Sequence, residues 1–306
     1  MRVLKKWHLV LLALILAVAA SVWYGTMSIY PRRITMDPGH FCWAKDSSAV
    51  FYVMDAPPRI CRYSLKGRTV DTYEIPRKAT PAGSTVLYLD LSPDGRKVIF
   101  SVRGPYGGSV QHLDMCYLYS LDLASRKLVR LRSIPRLGCI AWLINNTIVY
   151  SAGQSETWLM LPDGGGARRV TERARLDRTT DGTAFVCLDE YNGRQVYDIN
   201  GKRIRYWAQR KEDTYHDDEL IYASSKRCAF LAAGGPDLAP SPCLDNRTGE
   251  TTEILVPAEE VKLSPNGAWA LYRTRASTFV QIGPFGRPYL CIAPLPEKTK
   301  RALQAP

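Results

Sequence analysis

The residues of this chain best suited to chemistry are four histidines, eight cysteines and one dense acidic run. His216-Asp217-Asp218-Glu219 places four potential metal ligands in succession. Consecutive side chains on a strand alternate between faces, so these four cannot converge on one ion, and the run reads as a solvated loop. His112 ends a Gly-rich insertion, 103–112, and rim loops of this kind commonly carry function. Arg103, Tyr106 and His112 are therefore the candidate ligand-contact residues. An even number of cysteines in an exported chain points to disulfides. Cys228 and Cys243 fall on neighbouring predicted strands and form the candidate pair, whereas Cys42 and Cys61 fall on strands one apart. Cys139 and Cys187 lie in apolar runs and read as small buried thiols. No Cys-x-x-Cys, Gly-x-Ser-x-Gly, His-Glu-x-x-His, phosphate-binding glycine loop or dinucleotide fingerprint occurs. No catalytic, cofactor-binding or metal-binding residue is assigned, no cofactor is predicted, and the reading favours a protein that is not an enzyme.

The elements that must position these residues begin with an apolar N-terminal segment. Arg2, Lys5 and Lys6 precede it, and residues 7–30 contain no Asp, Glu, Lys or Arg. As a cleaved signal peptide it offers a basic start, an apolar core and small residues at Ala17-Val18-Ala19. As an uncleaved anchor, residues 9–30 suffice to cross ~30 Å of hydrocarbon. Trp23, Tyr24 and Tyr30 would then sit at the far interface, with Pro31 ending the helix. The lack of a helix breaker before Gly25 favours the anchor. Both readings place the rest of the chain outside the cytoplasm, either on a single-pass membrane anchor or periplasmic or secreted. Residues 1–33 thus form a targeting segment and 34–306 the folded domain.

Of the formal charge of +12, five units belong to Arg2, Lys5, Lys6, Arg32 and Arg33, leaving +7 on residues 34–306. The basic residues are scattered, and no basic helix or recognised module accompanies them, so nucleic acid is not the expected partner. Seventeen Tyr and seven Trp favour strands, and the 22 Gly and 20 Pro recur at turn-like intervals.

Internal repetition organises the folded part. Leu91-Ser-Pro-Asp-Gly-Arg-Lys-Val-Ile-Phe matches Leu263-Ser-Pro-Asn-Gly-Ala-Trp-Ala-Leu-Tyr. Weaker copies begin at Trp43, Trp142, Thr180 and Ser224. With Asp46, Asp94, Asn145, Asp181, Ser225 and Asn266 as anchors, the spacings are 48, 51, 36, 44 and 41 residues. Such a period suits a four-stranded propeller blade. Pro93-Asp94-Gly95, Asp181-Gly182 and Pro265-Asn266-Gly267 are the structural turns: Pro presets φ, Asp or Asn bonds its own backbone, and Gly accepts positive φ. The apolar run after each turn reads as an inner strand, and a second hairpin about 20 residues later completes the unit.

These turns resemble those of the TolB-type β-propeller family, whose repeats carry a Ser-Pro-Asp-Gly turn before an inner strand. The resemblance spans residues 34–296 and is strongest at 91–101 and 263–273. It implies an all-β, six-bladed propeller of four-stranded antiparallel blades behind the N-terminal transmembrane or signal helix. It also implies closure by residues 33–36 as outermost strand of the last blade; residues 299–303 are the alternative. The implied role is a non-catalytic scaffold that binds a protein or envelope polymer. The competing expectation is a propeller enzyme, a lactonase or glycan-active hydrolase, with carboxylates from several blades around a central-channel metal.

Overall fold

In the computed structural model, the described residues are 32–36, 38–55, 57–104, 115–153, 155–172, 174–178, 182–189, 193–207, 219–223, 228–231, 241–245, 251–254, 258–274, 289–295, 297 and 300. The targeting segment read from residues 1–33 lies outside them except for Arg32 and Arg33. No described helix is long and apolar enough to cross a membrane.

The strands form four-stranded antiparallel sheets in chain order. The first contains β2 (Phe41–Trp43), β3 (Ala49–Asp55), β4 (Pro58–Ser64) and β5 (Val70–Glu74). The second contains β6 (Thr85–Leu91), β7 (Lys97–Arg103), β8 (Met115–Asp122) and β9 (Leu128–Pro135). The third contains β10 (Ile140–Trp142), β11 (Ile148–Ala152), β12 (Glu156–Met160) and β13 (Arg168–Thr171). The fourth contains β14 (Ala174–Arg178), β15 (Ala184–Asp189), β16 (Arg194–Asp198) and β17 (Arg203–Trp207). The fifth contains β18 (Glu219–Ala223), β19 (Cys228–Leu231), β20 (Ser241–Asp245) and β21 (Thr251–Ile254), described by backbone pairing alone. The last contains β22 (Ala258–Leu263), β23 (Trp269–Thr274), β24 (Tyr289–Pro294) and, on its outer edge, β1 (Arg32–Met36). The first strands of neighbouring sheets touch at β2–β6, β6–β10, β14–β18 and β18–β22, while β14 meets the third sheet through β11 and β12. The architecture is that of a β-propeller.

Every repeat anchor falls between the first and second strands of its sheet. The apolar runs after the turns, at 98–100 and 270–272, are second strands, β7 and β23; the innermost strand is the one preceding the turn. Ser92 shows why the turn motif works. Its hydroxyl accepts the Lys97 N–H at 2.8 Å and donates to Asp94 Oδ1 at 2.7 Å, which in turn accepts the Arg96 N–H. Ser264 and Asn266 repeat this arrangement in the last sheet. Gly95 and Gly267 hold φ of 70° and 64°, which a side chain would strain.

The core lies between sheets. Phe51, Ile60, Leu91 and Phe100 pack the first sheet on the second. Ile99, Leu118, Trp142 and Tyr150 pack the second on the third. Closure joins the two chain ends: Ile34 packs with Trp43, Tyr52, Leu271 and Leu290, and the Trp43 indole N–H donates to the Lys262 carbonyl at 2.9 Å. The expected closing strand, 33–36, is therefore in place as β1, paired antiparallel to β24 from Arg32↔Ile292 to Met36↔Tyr289.

Candidate ligand-binding face and axial cluster

Two sets of polar residues stand out, one near the axis and one on a rim. Near the axis, Asp90 on β6 accepts the Lys45 ammonium at 3.2 Å, with both side chains largely buried. Its Oδ2 accepts the Trp142 N–H of β10 at 2.6 Å and its Oδ1 the Leu91 N–H at 2.8 Å. Lys262 on β22 donates to the Phe41 carbonyl at 2.6 Å and stands 4.9 Å over the Phe41 ring. Hydrogen bonds thus join the last sheet to the first, the first to the second and the third to the second. Buried charges require such partners. The chemistry of this cluster is that of an inter-sheet fastening. Cys42 lies within it, and burial, reinforced by the Asp90 carboxylate, pushes its thiol pKa up to about 12. A thiol held so is a poor nucleophile.

Each four-stranded meander turns at both ends. The connections of strands one to two and three to four lie on one face, the turn face. The connection of strands two to three, and the passage to the next sheet, lie on the other, the rim face. At the rim, Arg103 ends β7, Arg273 lies near the end of β23, Arg59 is the second residue of β4 and Arg194 begins β16. Each has its Nε buried. Arg273 also donates to the Gly39 carbonyl at 3.4 Å and stands 5.7 Å from the Phe41 ring. Asp55 shares the rim, and burial raises its carboxyl pKa above the usual range.

Innermost strands carry a further signal that no turn motif announces. β6, β14, β18 and β22 each contain a bulge, skipping Tyr88, Asp177, Ile221 and Glu259 respectively. A bulge removes a residue from the ladder and re-aims it, often beside a functional site. Tyr88, held at φ 47°, places its ring 4.9 Å from that of His40 at the rim end of β2. The bulged residues of β14 and β22 are thus Asp177 and Glu259.

Of the sequence-derived ligand contacts, Arg103 lies on the rim, while Tyr106 and His112 fall outside the described residues, as does Asp181. Gly182 is in its turn at φ 75°, its carbonyl accepting the Ile144 N–H of the preceding sheet. Cys228 and Cys243 lie on adjacent strands, but the register sets Cys243 opposite Leu231. The offset of three residues is roughly 10 Å along the strand, beyond the ~7 Å Cα separation a disulfide spans. Cys42 and Cys61, on β2 and β4 with β3 between them, are unbridged. His216, Asp217 and Asp218 lie outside the described residues. Among those described, no three His, Cys, Asp or Glu side chains form a metal-binding group.

Comparison with solved structures gives the fold. An oligogalacturonate lyase in complex with manganese matches with a TM-score of 0.51 at 15% identity, covering 84% of this chain and 76% of its own. TolB from Acinetobacter baumannii matches at 0.53 and 16% identity, covering 90% and 68%. The WD40 repeats of RRP9 match at 0.50 and 12% identity, covering 87% and 97%. At such identities the likeness is one of fold. No family model matches the chain, and no curated protein does.

Proposed function

We propose that this chain is a non-catalytic scaffold, a closed six-bladed propeller outside the cytoplasm that binds a protein or envelope polymer on its rim face. Residues 1–33 serve as signal-anchor, or as a cleaved signal, and 34–306 as the binding domain. The observation that carries this reading is the rim itself, where Arg59, Arg103, Arg194 and Arg273 stand at the rim-side strand ends of four sheets, each with its Nε buried. Guanidinium groups suit carboxylates and phosphates because they donate two parallel hydrogen bonds. The matching partner is an acidic protein surface or an anionic polymer. The TolB-type resemblance supports the scaffold role by analogy.

The test is affinity capture with the full chain from solubilised envelope, followed by mass spectrometry of protein, polymer and metal. Capture of a partner that weakens at least about tenfold in the variant Arg59→Gln/Arg103→Gln is the expected result. Capture indifferent to those charges overturns it.

A second reading, the propeller enzyme with a central metal, is favoured by the bulged positions Asp177 and Glu259 on the inner strands. Stoichiometric metal in the purified chain, lost in Asp177→Asn or Glu259→Gln, would select it.

A further inference from the structure

The chain enters the propeller at a defined place on the turn face. β1 runs antiparallel to β24 and leads on to β2, so its first residue, Arg32, stands on the turn face. There the Arg32 guanidinium donates to the Tyr63 hydroxyl at 2.9 Å. Tyr63 immediately precedes the turn at 64–69 of the neighbouring blade, so the entry point is fixed beside that turn.

This sector of the turn face is cationic. Lys66, Arg68, Arg96, Lys97, Arg126 and Lys127, in the turns of two adjacent blades, are all exposed. Arg68 and Arg126 sit at turn tips with φ of 54° and 56°. The acids of the same turns are directed back onto the chain. Asp94 accepts the Arg96 N–H at 3.0 Å, and Asp46, in the neighbouring 44–48 turn, likewise accepts the Ser48 N–H at 3.0 Å. Asp122 accepts the Ala124 and Ser125 N–H groups at 3.2 and 2.8 Å. Cations therefore project from the turns while the carboxylates serve them internally. The rim arginines differ in that their Nε atoms are buried.

Pro31 alone separates Tyr30, the end of the uncharged segment, from Arg32. Two peptide steps reach at most about 7 Å. That is within the screening length of about 8 Å at physiological salt.

We propose that the sector formed by the 64–69, 92–97 and 122–127 turns docks on an anionic phospholipid surface, seating the propeller turn face down beside its own anchor. The orientation rests on reading residues 7–30 as membrane-embedded. Each Lys or Arg held near an anionic leaflet raises surface binding about fivefold. The rim face then points away from the bilayer, open to a partner.

The test uses the full chain in lipid nanodiscs of phosphatidylcholine, with or without about one-third phosphatidylglycerol. Amide hydrogen exchange is read turn by turn. Amides in 65–68, 94–97 and 123–127 are expected to slow at least about fivefold in the anionic discs, with Arg59 and 152–153 unchanged. The effect should vanish at about 0.5 M salt, where screening shortens to about 4 Å. It should also vanish in Arg68→Glu/Arg96→Glu/Arg126→Glu, whose unfolding midpoint stays that of the parent. Equal exchange in both discs, protection at the rim instead, or protection by soluble heparin but not by anionic discs each overturns the proposal. Retention of the chain through an alkaline wash reports separately on the anchor. If the chain washes off, the anchor reading falls, and co-sedimentation with phosphatidylglycerol vesicles decides: salt-sensitive binding lost in the triple variant upholds the surface, and no binding overturns it.

Discussion

Asp90 holds three donors from three successive blades: Lys45, its own neighbour Leu91 and Trp142. Removing the carboxylate takes that acceptor from an ammonium and two peptide N–H groups in a largely buried place. Asp90→Ala is therefore expected to lower stability by about 3 kcal/mol, measured by urea unfolding; a loss below about 1 kcal/mol would mean that water replaces the carboxylate there. Asp94 is a different case. The Ser92 hydroxyl and then the Arg96 N–H hold its carboxyl below the usual carboxylate range. Its folded pKa is depressed, so its contribution is full above the unfolded value of about 3.9 and is lost as pH falls through the folded value. Asp94→Asn keeps the turn's shape, as Asn266 does naturally in the last blade. Denaturation midpoints of parent and variant should differ most at neutral pH and converge at the acid end. A constant difference at every pH would assign the effect to turn geometry.

At the level of strands, β1 is the element whose loss exposes most. Without it β24 becomes a bare edge, and Ile34 no longer covers the seam around Trp43 and Leu290. A chain lacking residues 1–36 is expected to aggregate on size-exclusion chromatography, whereas one beginning at Arg32 should elute as a monomer. Equal behaviour of the two would show that closure does not need this strand. The turns were legible from sequence because Ser92-Pro93-Asp94-Gly95 is a local device, complete within six residues. So was the strand order, because each anchor implies a hairpin of its own. Bulges were not legible, since Tyr88 leaves the ladder only through the register of β6 against β7. Nor was the rim, where Arg59 and Arg273 lie far apart in sequence and share a face only because each meander turns the same way. The stagger of β19 against β20, which sets Cys243 opposite Leu231, was likewise not legible, because adjacency of strands says nothing of register.

Over the whole molecule, the two faces are chemically unlike because the meander sorts its connections. Short turns with inward-bonded Asp residues fill one face, and arginines at strand ends mark the other. Near the axis, Asp90, Lys45 and Lys262 fasten the last, first, second and third sheets to their neighbours. The β1–β24 pairing also has a temporal meaning. β1 finds its partner β24 only after nearly the whole domain has been made, so the ring stays open throughout its synthesis. During that interval β1 must be kept from foreign edges, and the entropy of joining the chain's two ends is spent in one late step. A circular permutant carrying 32–36 directly after 294 would turn that late step into an ordinary hairpin.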